Sequence, residues 1–227
     1  MRAPLSWLGI FRLGLVQTAL GAIVVLTTSA LNRVMVVELA LPATLPGLLV
    51  GIHYALQMLR PRWGYGSDMG GRRTPWILGG MAVLAVGGVL AAAATAWMAE
   101  SFLPGLALAV VAFLMIGLGV GAAGTSLLVL LAARVDEKRR AAAASIVWIM
   151  MIAGFVVTTA IAGRLLDPYS PERLVAVSAG VSVIAMIVAT IGVIGIEGPS
   201  PARAVAEPAQ KPPFRRAMAE VWAEPEA

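Results

Sequence analysis

Three polar side chains interrupt an apolar run: His53, Gln57 and Arg60. They stand four and three residues apart, the spacing that places them on one face of a helix. A neutral imidazole can ligate a metal ion, or it can sit inside a bundle as a hydrogen-bonded core residue. His53 is the single histidine in the sequence. A second concentration of chemistry follows at once, in Gly64-Tyr65-Gly66-Ser67-Asp68-Met69-Gly70-Gly71-Arg72-Arg73. This stretch gathers one carboxylate, two guanidinium groups and four glycines. Asp68 can accept from backbone amides at a helix start or pair with Arg72 or Arg73, so Gly64, Asp68, Gly71, Arg72 and Arg73 form a candidate docking motif. The alternative is a solvated, positively charged turn that only sets topology. A third group closes the first apolar run: Asn32, Arg33 and Glu38. There Arg33 either reaches the membrane interface or pairs with Glu38.

The elements that must hold these groups are dictated by composition. The 227 residues are 59% hydrophobic and 13% charged, with a mean hydropathy of +0.88. Soluble domains carry about 25% charged residues. The chain is therefore expected to be a polytopic membrane protein, all-α, because backbone polar groups in hydrocarbon must bond within their own segment. No cysteine is present, which excludes disulfides and thiol-ligated metals or clusters. The net charge of +5 could suggest nucleic acid, but the basic residues fall between apolar runs, the pattern of membrane topology; nucleic acid is excluded as a partner. Met1 to Arg12 mimics a signal peptide without a clear cleavage site and reads as the start of a retained helix.

Six spans are predicted, each near the roughly 20 residues that cross a bilayer. They cover Leu13 to Val37, Leu45 to Trp63, Trp76 to Met98, Leu106 to Ala133, Ala141 to Gly163 and Leu174 to Ile196. The first carries Gln17 on a polar side, which with His53 and Gln57 makes an interior polar face. The fourth holds Gly117 and Gly121, a small-xxx-small pair for close helix packing. Met150 and Met151 read as gap-filling side chains. The bundle is placed at residues 1–198 and a cytoplasmic linker at residues 199–227. Within the linker Phe214, Met218, Val221 and Trp222 share one face of a short amphipathic helix suited to the membrane interface. With six spans, both termini share a side with the second-to-third and fourth-to-fifth loops. Of the 17 Lys and Arg residues, fourteen fall on that side and three (Arg33, Arg164 and Arg173) on the other. Both termini are therefore expected in the cytoplasm.

The spacing from Gly64 to Arg73 resembles the loop between the second and third helices of major facilitator superfamily transporters, where an Asp and basic residues lock the outward-facing state. Met69 stands where that family usually has Arg or Lys. Six spans would then be half of a major facilitator fold. A closer resemblance lies in Leu31-Asn32-Arg33-Val34-Met35-Val36-Val37-Glu38-Leu39, in His53-Tyr54, in Arg72-Arg73-Thr74-Pro75-Trp76 and in Ala219-Glu220-Val221-Trp222-Ala223-Glu224-Pro225. These are similar to the PucC/LhaA-type family, the light-harvesting assembly and bacteriochlorophyll-delivery branch of the superfamily. That resemblance implies an assembly factor in the intracytoplasmic photosynthetic membrane of a bacterium. It would handle bacteriochlorophyll, antenna polypeptides or both, beside a reaction-centre complex and membrane lipids. It also implies a chain of about twice this length. The sequence is then a truncated piece, a split gene product or a half-length relative completed by a second copy. His53 becomes the candidate ligand for the magnesium of bacteriochlorophyll, against the reading of a buried core histidine. No nucleophile with a base, no nucleotide-binding loop and no metal-spaced cluster is legible, so the expectation is a protein that is not an enzyme. A small-molecule carrier and a structural subunit of a photosynthetic complex are the alternatives.

Overall fold

A computed structural model describes residues 4–69 and 72–198, with the side chains of residues 65–69 excluded. The linker and its amphipathic helix, expected at residues 199–227, lie outside the described residues. Every regular element described is helical. Helix α1 spans Trp7–Glu38. Helices α2 (Thr44–Leu56) and α3 (Arg60–Met69) are joined by a tight 3-10 turn, Gln57–Leu59. Then follow α4 (Thr74–Met98), α5 (Phe102–Arg134), α6 (Arg140–Leu165) and α7 (Pro171–Val193).

Five of these, α1 and α4 to α7, are long and apolar enough to cross a membrane. The chain is thus an all-helical, multi-pass membrane protein. The second expected span corrects the sequence reading: it is not one continuous apolar helix. Pro61 has no amide to give the carbonyl of Gln57, and its ring crowds that carbonyl; the helix tightens there and restarts at Arg60. The broken pair still runs from one end of the bundle to the other. Arg12, early in α1, reaches the last carbonyls of α7, and Glu197, just beyond α7, reaches the start of α4. Glu38, at the far end of α1, shares a cavity with the turn between α6 and α7. The path from Glu38 to Thr74 must therefore cross.

Gly64 to Met69 is also not a loop, as the glycines suggest, but part of α3. Tertiary packing overrides propensity here: the Trp63 indole lies against Gly121 of α5, where an added Cβ would come within 2.9 Å of its nitrogen, and beside the Trp76 ring, 6.4 Å away between centroids.

The core is the pair α4 and α5, packed along their length and backbone to backbone at Gly80 and Gly119. A Cβ on Gly80 would stand 2.9 Å from the carbonyl oxygen of Gly119. Small residues permit this approach in lipid, where apolar burial alone does not drive helices together. Gly117 and Gly121 do serve packing, as their spacing predicts, but against α2 and Trp63 rather than α4. Helix α1 packs on α6 and α7, and α7 also packs on α4. Helix α6 touches the bundle along one stripe, Ala143, Val147, Gly154, Thr158 and Ala162. Only 17% of its most apolar window is buried, against 50% for α4.

Candidate functional site

The polar residues singled out from the sequence fall into three separate places. The first is the interior of α2. Gln57 Nε2 donates to His53 Nε2 at 2.9 Å, and Arg60 in turn donates to Gln57 Oε1. The face predicted by spacing is therefore a hydrogen-bonded chain. Because the amide N–H donates, the Nε2 lone pair is engaged and the ring proton is assigned to Nδ1, which is buried with no partner among the described residues. His53 is 1% exposed, and Gly117 of α5 closes on its carbonyl oxygen. A magnesium ligand needs a free lone pair facing a space the size of a macrocycle. His53 has neither and does not fit that role.

Gln17 does not join this face. It is buried in the contact of α1 with α6, where its Nε2 donates to Met151 Sδ at 3.3 Å. The single interior stripe read from Gln17, His53 and Gln57 is thus two sites. Gln17 and His53 are both buried inside the bundle.

The second place is the end where the chain begins, and it is tied by charge. Leu5 N–H donates to Arg134 C=O at 2.8 Å, and Arg139 Nη2 donates to Leu5 C=O at 3.0 Å. The Arg139 guanidinium also lies 5.3 Å from the Trp7 ring centroid, a cation–π distance. Arg12 Nη2 donates to the carbonyls of Ile191 and Ile194 at 2.8 and 2.5 Å, meeting acceptors that every helix C-terminus leaves unused. Arg134 Nη1 donates to the carbonyls of Ile196 and Glu197, in the turn that follows α7, at 3.2 and 3.3 Å.

Glu197, 7% exposed, completes the arrangement. Its carboxylate accepts from Arg73 N–H at 2.7 Å, Thr74 N–H at 2.9 Å and Thr74 Oγ1 at 2.8 Å. Burial pushes its pKa up, but the bonds from Thr74 and Arg73 and the charge of Arg72 outweigh burial and hold it below the usual range. A carboxylate on the amides that open a helix is the arrangement expected of Asp68. The Asp68 side chain and Gly71 lie outside the described residues, whereas Arg72 and Arg73 stand at this junction. Glu197 escaped the sequence reading because it looks like the first residue of a polar linker. Its one signal was an acid placed directly after the sixth apolar run.

The third place is the opposite end. Arg33 Nη1 lies 3.4 Å from Glu38 Oε1, so these two residues pair. Around them α1 is widened: Leu31 N–H bonds Leu26 C=O, and Leu39 N–H bonds Val34 C=O, each five residues back. The Thr27 hydroxyl donates to the carbonyls of Ile23 and Val24 and that of Thr28 to Val24, competing with the backbone ladder and loosening the turn. Such wide turns concentrate at functional sites. The widened stretch, with the start of the turn after α6, bounds a cavity of about 430 Å³. Ser29, Arg33, Glu38, Thr159, Asp167 and Tyr169 line it. The Tyr169 hydroxyl is buried there without a hydrogen-bond partner among the described residues, as is Asn32 Oδ1 on the same stretch of α1 but outside the cavity lining. Burial first, then the charges of Glu38 and Glu172, push the Tyr169 pKa up and keep it a neutral donor. Among the described residues no group of His, Asp and Glu is arranged to hold a metal ion.

Comparison with known proteins gives these features a context. A family model described as PUCC protein matches residues 30–227. The chain is 53% identical, over 226 residues and 98% of its length, to a Rhodobacter capsulatus protein named bacteriochlorophyll synthase 44.5 kDa chain, of which it covers 52%. It is 30% identical to the protein PucC of Rhodobacter capsulatus, over 95% of this chain and 49% of that one. It is also 30% identical to the protein PucC of Cereibacter sphaeroides, over 90% of this chain and 47% of that one. The chain spans about half the length of the curated relatives it matches. No solved structure matches. The first relative corrects the expectation of a protein that is not an enzyme, since a sequence 53% identical is named as a chain of a synthase. The match of the family model over residues 30–227, with relatives 53% and 30% identical over nearly all of this chain, places this multi-pass helical chain in the PUCC protein family.

Proposed function

We propose that this chain is the first half of a photosynthetic-membrane protein that handles bacteriochlorophyll while light-harvesting complexes are built. The observation that carries the reading is the similarity, over nearly all of this chain and about half of each relative, to proteins named PucC and to one named for bacteriochlorophyll synthesis. The structure supports it in one respect: α6 and α7 turn Trp148, Ile152, Val156, Ile184 and Ile187 outward. A face of this kind suits membrane helices or pigments as neighbours. The crossings would form half of a major-facilitator-type fold, in the intracytoplasmic membrane, with the arginine-tied end in the cytoplasm where positive charge accumulates. Antenna polypeptides and the reaction-centre complex would be its partners. A second copy or a second six-helix half would cover the open face.

The name of the 53% identical relative favours a second reading, a membrane subunit of the machinery that makes the pigment. One preparation separates the two. The protein is purified from photosynthetic membranes, its near-infrared absorption recorded and its companions identified by mass spectrometry. Bound bacteriochlorophyll with antenna polypeptides supports assembly. Bound pigment precursors with biosynthetic enzymes support synthesis. Neither pigment nor precursors would overturn both.

A further inference from the structure

Below the polar cavity lies a second space, a groove of about 560 Å³ between α6 and α7 and floored by α1. Ala22, Gly154, Ile161, Gly180 and Ile184 are among its walls. The two helices each pack on α1 but hardly on each other, so the groove opens to the outside of the bundle, where lipid-soluble molecules arrive directly. Thr158 and Ala162 line both spaces. One is polar, with an unpartnered tyrosine hydroxyl; the other is almost wholly apolar. The two spaces therefore adjoin at Thr158 and Ala162.

We infer that the adjoining cavity and groove together form a binding site for a single-tailed amphiphile, its uncharged, hydrogen-bonding head beside Arg33 and Tyr169 and its tail between α6 and α7. Size selects one tail. At roughly 30 Å³ per heavy atom, the share a water molecule takes of the liquid, the groove holds on the order of twenty carbons. A diacyl lipid brings two chains and overfills it. Charge selects the head. One cation, Arg33, and two carboxylates, Glu38 and Asp167, line the cavity, so an anionic head would meet more negative than positive charge. A neutral head with an acceptor oxygen would accept a hydrogen bond from the Tyr169 hydroxyl, which has no other partner among the described residues. The inference stands on the two cavities and does not require the pigment reading, although a pigment with one isoprenoid tail is a ligand of this class.

The test uses the full chain in lipid nanodiscs and a photoreactive geranylgeraniol, a C20 isoprenol with a hydroxyl head. Irradiation followed by peptide mapping should place the label on Ile161, Ile184 and their neighbours. Gly180→Trp projects into the groove from a position where an added Cβ meets nothing within 4 Å, and should lower labelling roughly tenfold, as expected when most of a tail's apolar burial is lost. Gly47→Trp, also open at its Cβ and outside both cavities, should leave labelling unchanged. Should Gly180→Trp not fold, Gly180→Leu serves the same purpose. Tyr169→Phe, which removes one hydroxyl and keeps the ring, should weaken the isoprenol but not the matching C20 hydrocarbon. Label spread evenly over lipid-facing residues such as Val86 and Ile187 would overturn the inference. So would equal capture of a photoreactive diacyl phosphatidylcholine, or labelling indifferent to Gly180→Trp. Competition by bacteriochlorophyll a supports both site and pigment reading; mapped label that the pigment does not displace supports the site and counts against the pigment reading alone.

Discussion

The two ends of this bundle are built on opposite plans. At the end where the chain begins, Arg12, Arg134, Arg139 and Glu197 tie the starts and finishes of α1, α4, α5 and α7 through charge-assisted bonds to backbone. At the other end one exposed pair, Arg33 with Glu38, stands beside a cavity and a widened helix. Arginines that meet helix carbonyls fix elements in place, since those acceptors are not satisfied within their own helix. An ion pair on the rim of a cavity holds little. The difference teaches that Asn32, Arg33 and Glu38 lie at the looser end, two of them on the cavity, and not at the tied one.

If the contrast holds, breaking the tied end should cost far more than breaking the open one. The largest effect is expected for Glu197→Ala, which removes the acceptor of three bonds at the start of α4. Unfolding in detergent should show a loss of about 2–3 kcal/mol, the scale of a charged cap on buried amides. A loss as small as that of the open-end variant would erase the distinction.

Acid should reproduce part of this effect. The Glu197 carboxyl is held below its ordinary value of 4.5, so it binds protons less readily folded than unfolded. Its stabilisation is complete above the ordinary value and disappears as pH falls through the depressed one. Melting curves on the acid side should therefore steepen in the wild type and flatten in Glu197→Gln. An unchanged acid limb in that variant would remove Glu197 from the lock.

Arg12→Ala should cost less, about 1–2 kcal/mol, because the guanidinium is partly in water while it serves the carbonyls of Ile191 and Ile194. Limited proteolysis near the end of α7 should rise with it. The smallest effect belongs to Arg33→Ala: an exposed pair contributes at most about 1 kcal/mol, and melting should hardly move. A loss there equal to that of Arg12→Ala would show both ends to be locked.

The site was legible only in part. The His53, Gln57 and Arg60 face follows from spacing and is present as a hydrogen-bonded chain. The same spacing could not say that Gly117 closes on His53, because that depends on the neighbouring helix. Gln17 was grouped with His53 on polarity alone, yet it packs against Met151 on another interface. The break at Gln57–Leu59 was foreseeable from Pro61. The helical state of Gly64 to Met69 was not, since glycine argues for a loop until Trp63 is seen against Gly121.

By itself the sequence determined that this chain is helical, that it crosses a membrane several times and where its charges collect. Those properties follow from run length and hydrophobicity, because lipid forces backbone bonds inside each segment. Only the tertiary structure decided which faces meet. In lipid the inside and outside of a helix are almost equally apolar, so no periodic polarity marks the face of α6 that packs on α1 or the face that borders the groove. Glycine contacts settle that choice, and with it the meeting of a polar cavity and an apolar groove at Thr158 and Ala162.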